Sequence, residues 1–224
     1  MKTVVVSIGG SVVLSDEADV PFLINLTSLF KRISNDYKLF VIVGGGKIAR
    51  RYIQLGRELG FDEDTLDLIG IDVTRVNSRI IAHLLGVSNT EIPRTTSDAL
   101  KLDFPIVVMG GTDPRHSTDL VGAELAEKTG AVRFVNATNV DGIYDKDPNK
   151  YKDAKQLKEV SIDNLIEKYG TTWGTAGKNI FMDEPSLEII KKAKLPTFVV
   201  NGKRLDQLEK ALLGQSFDGT IILV

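Results

Sequence analysis

Short β-branched runs alternate with amphipathic stretches along the whole chain. Thr3 to Ile8, Leu39 to Val43, Ile106 to Met109, Ala131 to Ala137, Pro196 to Val200 and Gly219 to Leu223 are apolar runs of strand length. Between them, apolar residues recur every three or four positions, which is helical spacing. Phe22, Leu26, Leu29 and Ile33 follow a helix-opening Pro21. Ile48, Tyr52, Leu55 and Leu59 mark a second helix and predict its packing face, with Gly60 as its stop. Leu66, Ile69, Val73, Val76, Ile80 and Leu84 mark a long third one. Further helices are predicted around Ala123 and Leu125, over Ile162 to Tyr169, Asp183 to Lys192 and Leu205 to Leu213. Strands that read as continuous apolar runs are buried on both faces, so the pattern predicts an α/β fold. Its expected form is a three-layer αβα sandwich around a largely parallel sheet, one domain over residues 1–224 without repeats or low-complexity linkers.

The breaks between these elements carry the candidate chemistry. Three early strands end in glycine: Ile8-Gly9-Gly10-Ser11, Val43-Gly44-Gly45-Gly46-Lys47 and Met109-Gly110-Gly111-Thr112. In a parallel sheet with right-handed crossovers these loops share one edge, and ligands sit outside it. Glycine allows close backbone approach, and a helix starting behind it aims unpaired N–H groups and a positive dipole end at the occupant, typically phosphate. Lys47 and Arg50 add charge there. The spacing fits neither the P-loop nor the dinucleotide fingerprint. Ser117 or Thr118 can cap the helix after the third loop. Asp67 and Asp119 lie near predicted helix N-termini, where a carboxylate stabilises the dipole without any ligand; for Asp119 that plain reading is the expectation.

Composition narrows the function classes. The chain of 224 residues has no cysteine and two histidines, which removes disulfides, thiolate chemistry and a histidine-rich zinc site. No carboxylate cluster of metal-site spacing is visible, so no protein-held metal site is expected. Net charge is −2 with both signs dispersed, which announces no nucleic-acid surface. Met1-Lys2 leads straight into a strand, without a cleavable signal pattern or a spanning apolar run, so the expectation is a soluble cytoplasmic protein with no membrane contact. His116 is given no proton-transfer role, and His83 reads as packing or surface.

The ordered glycine loops, followed by Thr138-Asn139-Val140-Asp141-Gly142-Ile143-Tyr144-Asp145-Lys146-Asp147-Pro148, resemble the amino-acid kinase superfamily over essentially the whole chain. Within it, the chain most resembles the archaeal-type uridylate kinases. The resemblance implies transfer of the ATP γ-phosphoryl to UMP with Mg²⁺, an N-terminal lobe (about 1–130) for the acceptor nucleotide and a C-terminal lobe (about 131–224) for ATP. It implies ATP contacts at Gly9, Gly10, Ser11, Gly46, Arg50, Thr138, Asn139, Tyr144 and Asp147. UMP contacts are implied at Gly45, Asp67, Arg115, His116, Ser117 and Thr118. Arg50, Lys47 and Asp183 are the implied catalytic residues, and a homo-oligomer, a hexamer built from dimers, is the implied assembly.

The chemistry suits these residues. A nucleoside monophosphate has a second pKa of about 6 and needs no general base at neutral pH. Catalysis then comes from in-line positioning and from donors and cations around the moving phosphoryl group, with Mg²⁺ bridging ATP oxygens. The resemblance breaks at Ser7, where many members carry lysine, and at Asp183-Glu184-Pro185-Ser186, where a smaller apolar run is expected. Lys47, Lys178 or Arg50 are the candidate replacements for the missing cation. The alternatives are an isopentenyl phosphate kinase or acyl-phosphate-forming kinase of the same superfamily, or a non-catalytic nucleotide-binding sensor or storage protein.

Overall fold

The computed structural model describes residues 1–14, 19–146, 148, 150–169 and 182–224. Strand β1 (Lys2–Ile8) is followed by a single helical turn, α1 (Gly10–Val13), and by α2 (Val20–Ile33). Then come β2 (Tyr37–Val43), α3 (Gly46–Glu58), the long α4 (Glu63–Leu85) and a short α5 (Thr96–Leu100). Strand β3 (Ile106–Met109) leads into α6 (Thr118–Thr129) and β4 (Arg133–Thr138). A small hairpin of β5 (Ile143–Tyr144) and β6 (Gln156–Leu157) precedes β7 (Glu159–Ser161) and α7 (Ile162–Tyr169). The chain closes with α8 (Glu184–Ala193), β8 (Thr197–Asn201), α9 (Leu205–Leu213) and β9 (Gly219–Leu223).

One sheet of seven strands runs in the order β3-β2-β1-β4-β8-β9-β7. The first five are mutually parallel, β9 is antiparallel to β8, and β7 runs parallel with β9. The register aligns Ser7 with Ile42 on one side and with Asn136 on the other. The sheet is sandwiched as its apolar runs require. Val4, Val6, Ile8, Val41 and Val43 pack with Leu26, Phe30, Ile81, Leu85 and Leu208 on one face. Val5, Phe40, Ile42 and Val107 pack with Val121, Leu125, Leu165 and Ile190 on the other. Each such side chain, buried to completion, contributes about 1.5–3 kcal/mol relative to exposure, so the sheet centre carries the stability on which the loops stand. The expected three-layer α/β sandwich is observed, and the sheet crosses residue 130 without interruption.

Several local expectations are corrected. The stripe Ile48, Tyr52, Leu55 and Leu59 is not the packing face of α3: Tyr52 and Leu55 are each 52 % exposed and Leu59 63 %. The helix packs instead through Ala49, Ile53 and Gly56. Small residues win because α3 lies tight on α4: a Cβ on Gly56 would come within 2.6 Å of Leu66 Cδ2, and one on Gly70 within 3.2 Å of Ile53 Cδ1. On α4 the predicted stripe is split, since Leu66 is buried whereas Val76, Ile80 and Leu84 are exposed. The loop Gly9-Gly10-Ser11 is partly helical, being the opening of α1. Helix α5 and strands β6 and β7 are additions to the predicted elements.

The first two glycine loops meet backbone to backbone. A Cβ on Gly10 would lie 2.3 Å from Gly46 N, 2.4 Å from Gly44 O and 2.5 Å from Gly45 C, and Gly46 itself has φ of +67°. Gly44 N donates to Ile8 O at 2.9 Å and Gly9 N to Ala137 O at 3.0 Å, which pins the seam to β1 and β4. Gly10→Ala therefore overpacks backbone that cannot yield; it is predicted to cost about 3 kcal/mol or more, a fall in Tm of about 6 °C or more. Gly9→Ala, whose Cβ meets nothing closer than 3.6 Å, should stay within about 1 kcal/mol of the parent. Equal thermal melts for the two variants would contradict the seam.

Candidate active site

The sheet reverses its winding at β1: the chain goes outward to β2 and β3, then returns to place β4 on the other flank. A crevice opens outside the C-terminal ends of strands at such a switch point. Here it is bounded by the seam after β1 and β2, by Gly110-Gly111-Thr112 after β3, and by Thr138-Asn139 after β4.

Helices α1 and α3 begin at this crevice. Most described helices carry a side-chain cap, including Asp19 on Phe22 N, Asp62 on Thr65 N and Ser117 on Leu120 N. The N-caps of α1 and α3 are Gly9 and Gly45, with no side-chain cap bond and no acidic residue in the first turn. Among the described residues these two helices alone combine both lacks. The orphan N–H groups at both starts, and the positive dipole end of the longer α3, are open to an anion supplied from outside. Arg50, half-buried on the second turn of α3, makes no ion pair among the described residues, and Lys47 is exposed at the start of the helix.

On the β3 side, Arg115 adopts a left-handed φ of +65°. Its N–H donates to Asp67 Oδ2 at 2.8 Å, and its guanidinium pairs with Asp64 at 3.0 Å. Asp67 thus sits where the 113–118 loop folds back on α4. His116 is exposed, and the Ser117 hydroxyl accepts from Leu120 N as the α6 cap, next to Thr118 in the first turn.

On the β4 side, Thr138 Oγ1 accepts from Val140 N at 3.1 Å and donates to Val140 O at 3.0 Å, folding Asn139 outward. Gly142 has φ of +149°, and a Cβ there would strike Thr220 Oγ1 at 2.6 Å. The turn is tied by Gln156 Nε2 donating to Asp141 O at 2.6 Å and Asn201 Nδ2 to Asp141 Oδ1 at 3.0 Å. This presents the half-buried Tyr144, whose phenol is pushed above its ordinary pKa by burial and then by Asp141 and Asp218. Asp147, Trp173 and Lys178 lie outside the described residues.

Beneath the seam lies a polar cluster that the sequence reading did not assemble. Ser7, 2 % exposed, donates to Asp119 Oδ1 at 2.7 Å. Asn136, level with Ser7 on β4, also bonds the Asp119 carboxylate. Asp183, 5 % exposed, caps α8 by accepting from Ser186 N at 3.2 Å and from the Ser186 hydroxyl, while its Oδ2 is buried without a hydrogen-bond partner. The N-termini of α6 and α8 thereby bring two carboxylates together. Desolvation pushes Asp119 up to about 6, the Asp183 charge adds to the rise, and the Ser7 and Asn136 bonds oppose it. The plain expectation for Asp119, a carboxylate that only stabilises a helix dipole, is thereby corrected. The available signal was the pair of polar residues, Ser7 and Asn136, inside otherwise apolar strands.

The structure gathers Gly9, Gly10, Ser11, Gly45, Gly46, Lys47 and Arg50 at one edge of the sheet, Asp67 with Arg115 at its β3 end, and Thr138, Asn139 and Tyr144 at its β4 end. Asp183 belongs to the layer below. Comparison with known proteins agrees in scale. The model of the amino acid kinase family matches residues 2–201. The chain is 41 % identical to the uridylate kinase of Methanobrevibacter smithii over 222 residues, covering 98 % of each chain. It is likewise 41 % identical to the uridylate kinase of Methanocaldococcus jannaschii, again with 98 % of each covered. The crystal structure of uridylate kinase from Archaeoglobus fulgidus superposes with a TM-score of 0.86 at 37 % identity, covering 99 % of this chain and all of that one.

The carboxylate pair makes a pH-dependent prediction. Asp119 has a folded pKa of about 6 against an ordinary 3.8, so its contribution to stability is intact below pH 3.8 and lost as pH rises through 6. Asp119→Asn retains an acceptor for Ser7 and removes the charge. Its melting temperature should exceed the parent's at pH 8, with a gain about 1 kcal/mol larger than at pH 5. A pH-independent loss of stability would contradict a desolvated, charge-paired Asp119.

Proposed function

The chain belongs to the amino acid kinase family, and from that premise we infer how it carries out its reaction, the ATP-dependent phosphorylation of UMP to UDP. The observation that carries the reading is the backbone seam between Gly10 and Gly44–Gly46, which sets two uncapped helix N-termini side by side. Two facing phosphate groups are what such a pair of anion sites accommodates.

In this reading the donor lies over residues 131–224 and the acceptor over residues 1–130. ATP phosphates rest against Gly9, whose own N–H is spent on Ala137 O, and on the N–H groups of Gly10, Ser11 and Gly46, with Arg50 and Lys47 supplying charge. Thr138, Asn139, Tyr144 and Asp147 hold its nucleoside. UMP lies between Gly45, the Asp67 carboxylate, which accepts from its ribose hydroxyls, and the Arg115-His116-Ser117-Thr118 loop. The acceptor phosphate is already deprotonated at neutral pH, so transfer is direct and in line and needs positioning and charge rather than a nucleophile.

Mg²⁺ fits the site. Among the described residues no three His, Cys, Asp or Glu side chains gather into a protein-only cage, but Asp183 Oδ2 is buried without a partner beside Asp119. Those two residues would hold the ion, which, when bound, offsets charge on the β- and γ-phosphate oxygens. Without the ion, Asp119 and Asp183 keep the layer beneath the phosphates negative.

Assembly into a homo-oligomer, by resemblance a hexamer built from dimers, completes the reading. Its support is the apolar surface that the monomer leaves open: Ile48, Tyr52 and Leu55 on α3 with Leu59 just past its end, and Val76, Ile80 and Leu84 on α4. Among the described residues no helix is long and apolar enough to cross a membrane.

ADP release with ATP and Mg²⁺, measured beside direct detection of UDP, tests the assignment. UMP should turn over in preference to CMP, dUMP and isopentenyl phosphate. Arg50→Ala should lower kcat by about 100-fold or more, as expected for a charge acting on the transferred group. Asp67→Asn should raise KM for UMP while leaving KM for ATP within twofold. Turnover on isopentenyl phosphate alone, or a rise in KM for ATP with Asp67→Asn, would overturn the reading.

A further inference from the structure

One turn of α4 holds two of the three glycine loops at once. Thr74, 6 % exposed, accepts from Gly111 N at 2.7 Å through Oγ1 while donating to Ile71 O at 2.6 Å. Arg75 Nη2 donates to Thr112 O at 3.1 Å. The third loop therefore lies directly on the helix; a Cβ on Gly110 would meet Thr74 Oγ1 at 2.5 Å and Thr74 C at 2.9 Å. Three residues on from Thr74, Asn77, 2 % exposed, donates from Nδ2 to Gly44 O at 2.9 Å and Gly45 O at 3.3 Å.

These bonds come from a rigid source. The C-terminal half of α4 is anchored in the core by Ile81, Ala82 and Leu85. Thr74 and Asn77 stand about 4.5 Å apart along the axis, because three residues advance a helix by that much. A loop tied to such a scaffold inherits its spacing, whereas a free glycine loop does not. Reaction between two phosphates is sensitive to this, since a misplacement of about 1 Å can cost about 100-fold in rate.

We propose that Thr74 and Asn77 are positioning residues for phosphoryl transfer. Thr74, with Arg75, sets the loop that receives the acceptor, Asn77 sets the Gly44–Gly45 loop that borders both nucleotides, and their spacing on α4 sets the distance between the two. This rests on assigning the loop after β3 to UMP.

The test is a comparison of steady-state constants and ligand-induced thermal shifts in the full-length enzyme. Thr74→Val keeps the shape of the side chain but abandons Gly111 N–H. KM for UMP should rise about tenfold with KM for ATP within twofold, the thermal shift with UMP should shrink and that with ATP persist. Thr74→Ser keeps the hydroxyl and should restore the parent constants. Asn77→Ala should instead lower kcat about tenfold or more with both nucleotides at saturation. If Thr74→Val fails to fold, Arg75→Gln, which releases Thr112 O together with an ion pair to the exposed Asp72, carries the same expectation for KM of UMP. A folded Thr74→Val or Arg75→Gln enzyme with neither KM changed would overturn the positioning role. A rise confined to KM for ATP would overturn the assignment of the loop to the acceptor.

Discussion

Everything at the active edge depends on one contact, the approach of Gly10 to the backbone of Gly44, Gly45 and Gly46 at distances no side chain tolerates. The contact is possible because β1 and β2 are adjacent parallel strands ending at the same level, with Ile8 paired to Val43. It matters because each loop is also the start of a helix left without a cap. Two sets of orphan N–H groups are thereby fixed next to each other before any ligand arrives, which is the preorganisation that electrostatic catalysis requires. Asn77 reinforces the same seam from the opposite side, by its bonds to Gly44 and Gly45.

Below the seam the molecule accepts a cost. Two helices direct carboxylates at one point, one carboxylate oxygen of Asp183 has no partner, and Asp119 is held protonatable at about 6. Hydrophobic residues of similar size would make a more stable floor, but in the proposed function they would give the phosphates neither a negative base nor a place for a cation. Where a lysine stands in many members of the family, Ser7 instead donates a hydrogen bond to Asp119. Cationic charge is left to α3 and to what ATP brings.

Most of the scaffold was legible in the sequence for a physical reason: strands buried on both faces must be apolar throughout, so β3, α7 and α9 fall where the pattern put them. The glycine loops were legible because close backbone contact excludes other residues. The inward face of α3 was not. Helical periodicity identifies a stripe but not the neighbour it meets, and Ala49, Gly56 and Gly70 build a tighter helix seam than the larger apolar stripe could. Asp119 was hidden because a carboxylate at a helix N-terminus already has an ordinary explanation; only the fold reveals that the N-terminus of α8 arrives at the same place. The pairing of Thr74 and Asn77 with two loops was hidden for a like reason, since polar residues on a long helix announce no partner.

In the proposed function catalysis is positioning: the phosphoryl group passes once, in line, between nucleotides held at the starts of α1 and α3. The most direct measurement is the stereochemical course with ATP made chiral at the γ-phosphorus. A single in-line transfer inverts the configuration in UDP. Net retention would show two displacements through an enzyme-bound intermediate, for which a carboxylate such as Asp183 would be the acceptor, and it would contradict direct transfer.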